Sequence, residues 1–284
     1  MGFTLDFFAA DADLVPWALG VSILRADGAQ EVRFSVPAHV LAIGTVVMSG
    51  DLWRVDQHGR QTLMPQCFAI GSATKAQAYI GSHQLVTASL LCMANVLPWL
   101  TGSSATAFVD RFAAPDALGR VDLAGLDPAG SPGQIAASLL GALRHCLASA
   151  RPPASALAFL TTLQQWDGQS LVPSGWHARR WQRACQQQLG LTPKLLQRMV
   201  RLHLSARDSC AVPAPTSWAE HALGAGYSDQ SHMLRDYRQL AGLTPVRASS
   251  TPGGQDLQIL KVSSHVLLPR VLSGLSPLSD LSNP

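Results

Sequence analysis

Residues 217–245 constrain the fold of this chain more than any other stretch, because their pattern predicts two short helices joined by a glycine turn. Ser217 and Glu220 have the spacing of a capping box, so we expect a helix to begin there. A Gly-Ala-Gly segment ends that helix, and Ser228 or Asp229 can cap a second one. The two faces of the second helix carry Met233, Tyr237 and Leu240 on one side and Ser231, Arg235, Arg238 and Gln239 on the other. The stretch therefore predicts a helix-turn-helix with one packed face and one solvated face.

The solvated face of the second predicted helix carries the side chains that a major-groove reader needs. Arginines, glutamines and small hydroxyls can bond to base edges and phosphates when a short scaffold helix supports them. The alternative is a surface pair of helices without a role in nucleic-acid binding. The spacing alone does not decide between these two interpretations.

The same pattern occurs a second time, 52 residues nearer the amino terminus. The run LGLTP at residues 189–193 recurs as AGLTP at residues 241–245, and the same offset places Arg183 on Arg235. Internal repetition indicates two copies of one unit, which favours the DNA reader over an isolated pair of helices. The first copy has the packing stripe Trp181, Cys185 and Leu189 and the outer stripe Arg179, Arg183 and Gln187, with Arg180 beside it.

Residues 174–248 resemble the DNA-binding domain of the AraC/XylS family of bacterial transcription regulators, most specifically in the run GYSDQSHMLRDYRQLAGLTP. The resemblance implies two helix-turn-helix units that place recognition helices in successive major grooves on one face of the duplex. It also implies a long linker helix between the units, beginning at Thr192 and Pro193. The residues that we expect to contact double-stranded DNA are Arg179, Arg180, Arg183, Gln187, Gln230, Ser231, Arg235 and Arg238.

The first unit departs from the family pattern. His177, Trp181 and Cys185 stand where the pattern usually has a capping serine, a leucine and a phenylalanine. The segment WDGQSLVPSG replaces the preceding scaffold helix, and its two glycines and Pro173 predict a short or malformed helix. We therefore expect the first unit to bind phosphates more than it reads bases, and the second unit to carry the specificity.

Charge is distributed unevenly along the chain. Residues 1–150 contain 8 Lys and Arg against 11 Asp and Glu, a net charge of −3, whereas residues 151–250 contain 11 against 5, a net charge of +6. The basic excess thus coincides with the predicted helix-turn-helix region, as neutralisation of DNA phosphates requires. The alternative is a basic surface that is merely solvated.

The amino-terminal part has a β-rich pattern from about residue 21 to residue 91. Short alternating runs such as EVRFSVP are separated by turn residues, which is typical of a sandwich or a partly closed barrel. This layout is similar to the cupin-like amino-terminal domains of some AraC/XylS regulators. His39, His58 and His83 share no spacing typical of metal ligands, so no metal site is expected. The predicted fold class is α+β, with a β-rich sandwich or cupin-like domain followed by an all-α double helix-turn-helix domain.

Turn-rich and proline-rich breaks divide the chain into four predicted segments. Residues 1–125 are expected to form a sensor or dimerisation domain and residues 155–250 the DNA-binding domain. Residues 126–154 contain a linker and a helix that bridges the domains, pairs two subunits or simply packs within the chain. Residues 251–284 are expected to be a partly disordered tail of unassigned role.

Cysteine usage and hydropathy predict a cytoplasmic protein. The five cysteines are odd in number and never spaced as CxxC, which favours a reducing compartment over a disulfide framework. The opening run MGFTLDFFAADAD is acidic, so no signal peptide is expected. The long uncharged stretch at residues 76–109 is interrupted by Asn95 and Pro98, so no membrane span is expected.

Two functional hypotheses from different classes remain at this stage. The favoured one is a DNA-binding transcription regulator that is modulated through its amino-terminal domain. The rival is an enzyme or small-molecule binding protein whose β domain carries the activity, with the helical repeat as an accessory. No convergent nucleophile and base is visible, so we predict neither catalytic residues nor a cofactor. Expected partners are double-stranded DNA, with RNA polymerase, an unidentified small-molecule effector and a second copy of the chain as further candidates.

Overall fold

The computed structural model describes residues 3–15, 17–26, 28–113, 126–127, 130–149, 152–166, 168, 170–211 and 217–250. In these residues a β-rich region is followed by a helical region, which confirms the predicted α+β class. The predicted tail at residues 251–284 lies outside the described residues, as does most of the expected boundary near residue 125.

Ten strands in the described residues form the amino-terminal domain. They are β1 (Phe3–Ala9), β2 (Ala18–Ala26), β3 (Val32–Val36), β4 (Leu41–Ser49), β5 (Leu52–Val55), β6 (Gln61–Leu63), β7 (Cys67–Ile70), β8 (Gln77–Gly81), β9 (Val86–Met93) and β10 (Phe112–Ala113). The larger sheet has the order β1-β2-β9-β4-β7-β10, and the smaller sheet has the order β3-β8-β5-β6. Every strand pair is antiparallel.

Side chains from both sheets pack into a shared core, so the two sheets form the predicted sandwich. Leu24 and Phe68 of the larger sheet are buried in one cluster with Phe34 and Tyr79 of the smaller sheet. The rings of Phe34 and Tyr79 stack with their centroids 5.4 Å apart. Alternation along the strands produces this arrangement, because successive side chains point to opposite faces of a sheet. In β8, Tyr79 is buried while Ala78 is exposed.

After the short helix α1 (Val96–Thr101), helix α2 (Pro132–Ser149) packs on the other face of the larger sheet, against β1, β2 and β9. In α2, Ile135, Leu139 and Leu143 are buried at the spacing of an amphipathic helix. Arg144 fixes the helix laterally, with guanidinium nitrogens 2.6 Å from Asp11 and 2.7 Å from Asp13. Of the three uses considered for this helix, the structure shows packing within the chain.

Helices make up the carboxy-terminal region. They are α3 (Ala154–Gln165), α4 (Ala178–Leu189), α5 (Pro193–Ala211), α6 (Trp218–Gly224), α7 (Gln230–Asp236) and α8 (Pro245–Ser250), with a π-helical continuation of α7 at Tyr237–Ala241. Helix α5 is the predicted linker helix and contacts α4, α6, α7 and α8. In the part of the chain that is described, no helix is both long and apolar enough to cross a bilayer.

Helix ends in this region follow the local sequence. Ser217 accepts a hydrogen bond from the Glu220 N–H at 3.3 Å, which confirms the predicted cap of α6. Asp229 accepts from the His232 N–H at 2.7 Å, so Asp229 rather than Ser228 caps α7. Gly190 and Gly242, the glycines of the LGLTP and AGLTP runs, both have a φ of 73°. That left-handed conformation ends α4 and the π-helical continuation of α7, and it favours glycine.

Candidate nucleic-acid interface

Helix α7 and its π-helical continuation separate apolar and polar residues as the sequence predicts. Met233, Tyr237 and Leu240 are fully buried. The four residues predicted to contact DNA from this unit are exposed to solvent: Gln230, Ser231, Arg235 and Arg238. The polar face of the helix is therefore accessible from solvent, while its apolar face is fixed in the core.

Helix α4 repeats this arrangement in the first unit. Trp181, Cys185 and Leu189 are buried, and burial raises the pKa of the Cys185 thiol to about 12, so the thiol stays protonated. The predicted contacts Arg179, Arg180, Arg183 and Gln187 are all exposed. The α4 N-cap residue His177 makes no side-chain capping hydrogen bond, in agreement with the loss of the usual serine.

Aromatic packing supports α4 where the scaffold helix is missing. The described residues between Gln165 and Ala178 form turns without a helix, which confirms the predicted malformed scaffold. Trp181 stacks on Phe159 at 5.5 Å, and the edges of Trp166 and Trp176 meet it at 5.8 and 5.4 Å. Aromatic pairs of this kind add stability beyond that of burying their apolar surface. The three rings around Trp181 therefore support α4 in the place of a scaffold helix.

The ring of Trp176 also positions an arginine of the polar face. The Arg180 guanidinium carbon lies 4.7 Å from the Trp176 ring centroid, a distance at which the cation is attracted to the ring face. A groove beside α3 and α4 is lined by Trp176, Arg180, Arg183 and Gln187. The first unit thus has a preformed cationic groove, which fits phosphate binding.

A buried ion pair joins the linker helix to the second recognition helix. The Arg198 side chain donates to Asp236 Oδ1 from Nε at 3.0 Å and from Nη2 at 2.7 Å. Arg198 Nη2 also donates to Gln239 Oε1 at 2.6 Å. Asp236 is 1 % exposed, so its carboxylate depends on this guanidinium for compensation. This ion pair is not predicted from the sequence. Its signal in the sequence is Asp236, a carboxylate three residues after Met233 and therefore next to the apolar face of the helix.

A second polar contact lies at the centre of the same unit. Ser205 of α5 is fully buried, and its hydroxyl lies 3.0 Å from the Tyr237 hydroxyl and 3.0 Å from His221 Nε2. One serine therefore connects the linker helix to both helices of the second helix-turn-helix. Together with the ion pair between Arg198 and Asp236, these hydrogen bonds fix the orientation of α7 on α5.

The β domain contacts the carboxyl end of each recognition helix. The Ser72 hydroxyl donates to the Leu189 carbonyl of α4 at 2.9 Å. The Ala38 N–H donates to the Leu240 carbonyl beyond α7 at 2.6 Å. His203 Nε2 of α5 lies 2.9 Å from the Ala38 carbonyl, to which it can donate. The two units are thus fixed to one another through the β domain as well as through α5.

Two buried histidines lie at this domain contact. Burial lowers the pKa of His203 to about 4 and the pKa of His39 to about 3, with the charge of His203 lowering the His39 value further. Both rings are therefore neutral near pH 7, and the Nδ1 of His39 accepts a hydrogen bond from the Leu41 N–H at 3.3 Å. Among the residues that the structure describes, no group of three or more His, Cys, Asp or Glu side chains could hold a metal ion.

Comparison with known proteins matches these observations to a family. Residues 174–249 match the family model of a helix-turn-helix domain. The exposed arginines on α4 and α7 lie within this matched segment. The match covers only this carboxy-terminal segment, which is thereby a helix-turn-helix domain of the kind found in DNA-binding transcription regulators.

Similarity to solved structures is distant. ToxT from Vibrio cholerae is 9 % identical, with a TM-score of 0.40 over 89 % of this chain and 100 % of that chain. The AraC-like transcriptional activator CuxR is 11 % identical, with a TM-score of 0.24 over 95 % of this chain and 89 % of that chain. These likenesses are too weak to carry an argument about function. No curated protein sequence matches the chain at a significant level.

Proposed function

We propose that this chain is a cytoplasmic regulator that reads two successive major grooves of double-stranded DNA, with its amino-terminal domain modulating that reading. The observation that supports this most is the repeated arrangement of α4 and α7. Each helix buries an apolar stripe, exposes a polar one and ends at a glycine with the same left-handed φ. Two copies of one reader attached to one linker helix are what two grooves on one face of a duplex require.

The proposed contacts divide into two roles. Gln230, Ser231 and Arg235 lie in the first two turns of α7, where side chains of a recognition helix reach base edges. Arg238 follows in the π-helical continuation. On α4, Arg180, Arg183 and Gln187 border the cationic groove beside Trp176, which favours phosphate contacts. The full set is Gln230, Ser231, Arg235 and Arg238 for the second unit and Arg179, Arg180, Arg183 and Gln187 for the first.

A mobility shift with random duplex at several salt concentrations discriminates this proposal from its rival. Phosphate neutralisation makes the affinity fall steeply as salt increases. An enzyme with an accessory helical repeat would show no such binding.

RNA polymerase and a second copy of the chain are candidate partners of the same regulator.

Replacing Arg235 with alanine tests base reading by the second unit. We expect the affinity for the preferred duplex to fall by about 1–3 kcal/mol, with a relaxed preference at one or two base pairs. Arg235 is exposed, so its loss does not disturb the core. The measurement is fluorescence anisotropy on a set of single-base variants of the duplex.

The matched control for Arg235→Ala is Arg33→Ala, which removes an equally cationic side chain that is 73 % exposed on β3. The control should leave DNA binding unchanged. If Arg235→Ala instead weakened binding equally on every duplex, Arg235 would be a phosphate contact and not a base reader.

Replacing Arg179 and Arg183 together tests phosphate binding by the first unit. We expect the slope of log affinity against log salt to fall by about 2, since each arginine releases roughly one counterion. Protection should be lost at the half-site one helical turn, roughly 34 Å, from that of the second unit. The double replacement of Arg33 and Arg60, both exposed on the β domain, is the control. A wild-type footprint confined to one groove would show that the first unit does not dock.

Contacts of the amino-terminal domain with α4 and with the π-helical continuation of α7 support the proposed modulation. Ser72 and Ala38 bind the carboxyl ends of the two recognition helices, so a change in the β domain can alter how both are presented. The alternative is a domain that only pairs two subunits. A sensor predicts that a small molecule changes the DNA affinity of the full chain, whereas a pairing domain predicts that only protein concentration does.

A further inference from the structure

A cavity of about 120 Å³ lies between the two sheets of the β domain. Its wall is mainly apolar and includes Leu24, Phe34, Leu52 and Phe68 from both sheets. A protein cavity of roughly 150 Å³ with such a wall accepts a molecule of the size of benzene. A compact ligand of comparable size therefore fits between the sheets.

One polar group in the wall lacks a partner. Gln77 of β8 is 3 % exposed, and within the described residues its Nε2 has no hydrogen-bond partner. Two other polar groups of the wall satisfy one another, because the hydroxyls of Thr45 and Ser89 lie 2.9 Å apart. A buried amide donor without an acceptor is costly, so the Gln77 N–H groups favour a ligand with an acceptor oxygen.

The wall also restricts the charge of the ligand. Of the described residues that line the cavity, none is Asp, Glu, Lys or Arg. The one histidine there, His39, is neutral because burial lowers its pKa to about 3. An anion or a cation in this cavity would have no counter-charge, which costs far more than burying a hydrogen-bonded neutral group.

His39 connects the cavity wall to the DNA-binding domain. Its backbone pairs with Ala73 through hydrogen bonds of 3.0 and 3.1 Å. The residues immediately before these two, Ala38 and Ser72, are the ones that donate to the Leu240 and Leu189 carbonyls. A ligand that moves the His39 ring thus acts one residue away from both contacts with the recognition helices.

We propose that this cavity binds a neutral, mostly apolar molecule of about the size of benzene through an acceptor oxygen on the Gln77 amide, and that its occupancy changes how residues 38 and 72 bind the recognition helices. This rests on the proposed modulation of DNA reading by the β domain. The coupling is reciprocal, so DNA must change the affinity of the ligand by the same factor.

The test compares two probes of one shape in the full chain. Cyclopentanone has a carbonyl oxygen, and methylenecyclopentane has a CH2 group in its place. The two probes have different free energies of transfer from water, so their dissociation constants cannot be compared directly. The informative quantity is the ratio of the two dissociation constants, measured by calorimetry in wild type and again in Gln77→Met. We expect the relative preference for the ketone to fall by about three- to tenfold in Gln77→Met. Gln84→Met, at an exposed glutamine of the same domain, should leave the ratio unchanged.

Gln77→Met removes an unpaired buried amide, so it should fold and melt at a higher temperature than wild type in the absence of a ligand. Cyclobutanecarboxylate, an anionic probe, should not bind. Equal ratios in wild type and Gln77→Met, binding of the carboxylate, or no binding of either neutral probe would each overturn the ligand class.

The same samples separate this inference from the proposed function. Cyclopentanone should change the DNA affinity of wild type by about fivefold or more and leave that of Gln77→Met unchanged. Salt-dependent DNA binding without any effect of a bound probe would refute the coupling and leave the DNA reader intact. Absence of DNA binding would refute the proposed function itself.

Discussion

Replacing Asp236 with alanine is expected to lower the free energy of unfolding by about 2–4 kcal/mol. The substitution removes the carboxylate that compensates Arg198 in the core of the second unit, where the two side chains are 2 % and 25 % exposed. Removing one partner of a buried pair leaves the other charge uncompensated, which costs more than the pair itself contributes. The loss stays below the largest known values because Arg198 keeps its bond to Gln239 and some contact with water.

Urea denaturation monitored by tryptophan fluorescence measures this loss. Asp6→Ala, at an exposed aspartate of β1, is the control and should change stability by less than about 0.5 kcal/mol. We also expect the DNA affinity of Asp236→Ala to fall, because the pair sets the orientation of α7 on α5. A loss of stability below about 1 kcal/mol would contradict the role given to this pair.

Lowering the pH from 7 to 5 is expected to reduce the stability of the full chain by roughly 4 kcal/mol, about half from each buried histidine. Folding lowers the pKa of His39 to about 3 and that of His203 to about 4. In the unfolded chain both histidines have a pKa of about 6.5. The unfolded state therefore binds protons first as the pH falls. Stability contributed by the neutral rings is present above pH 6.5, and it decreases through the window down to the folded pKa values.

The acidic window separates the histidines from the carboxylates. Hydrogen bonds lower the pKa of Asp13, Asp56 and Asp229 in the folded chain. The stability that these carboxylates contribute is therefore lost mainly below about pH 4, where they begin to bind protons in the unfolded chain. Denaturation curves at pH 7, 6 and 5 measure the slope, and His203→Gln should reduce it by about half. A flat profile between pH 7 and pH 5 would show that the two rings are not buried at the domain contact.

The parts of the site that sequence could predict are those encoded locally. The caps at Ser217 and Asp229 and the glycines at positions 190 and 242 each depend on a few neighbouring residues, so their patterns are visible in the sequence. The apolar stripes of α4 and α7 follow from helical periodicity. Strand β1 was missed, although FTLDFFA begins with the alternation of a strand.

The remaining features depend on residues that are distant in the sequence. Arg198 and Asp236 are 38 positions apart, and His203 and Ala38 are 165 positions apart, so no local pattern pairs them. The aromatic cluster around Trp181 replaces a helix with side-chain packing, which periodicity does not describe. The cavity beside Gln77 exists only because two sheets face each other. Domain contacts of this kind have no signal in one sequence.

Selection of bound sequences from a random duplex library, with the full chain as bait, tests the central claim most directly. Two blocks of preferred bases, centred about 10 base pairs apart, are expected because the two recognition helices are proposed to enter successive major grooves. The block read by α7 should be the sharper one, since the α4 unit is expected to contact phosphates more than bases. A single block spanning one groove, or no enrichment above random duplex, would contradict it.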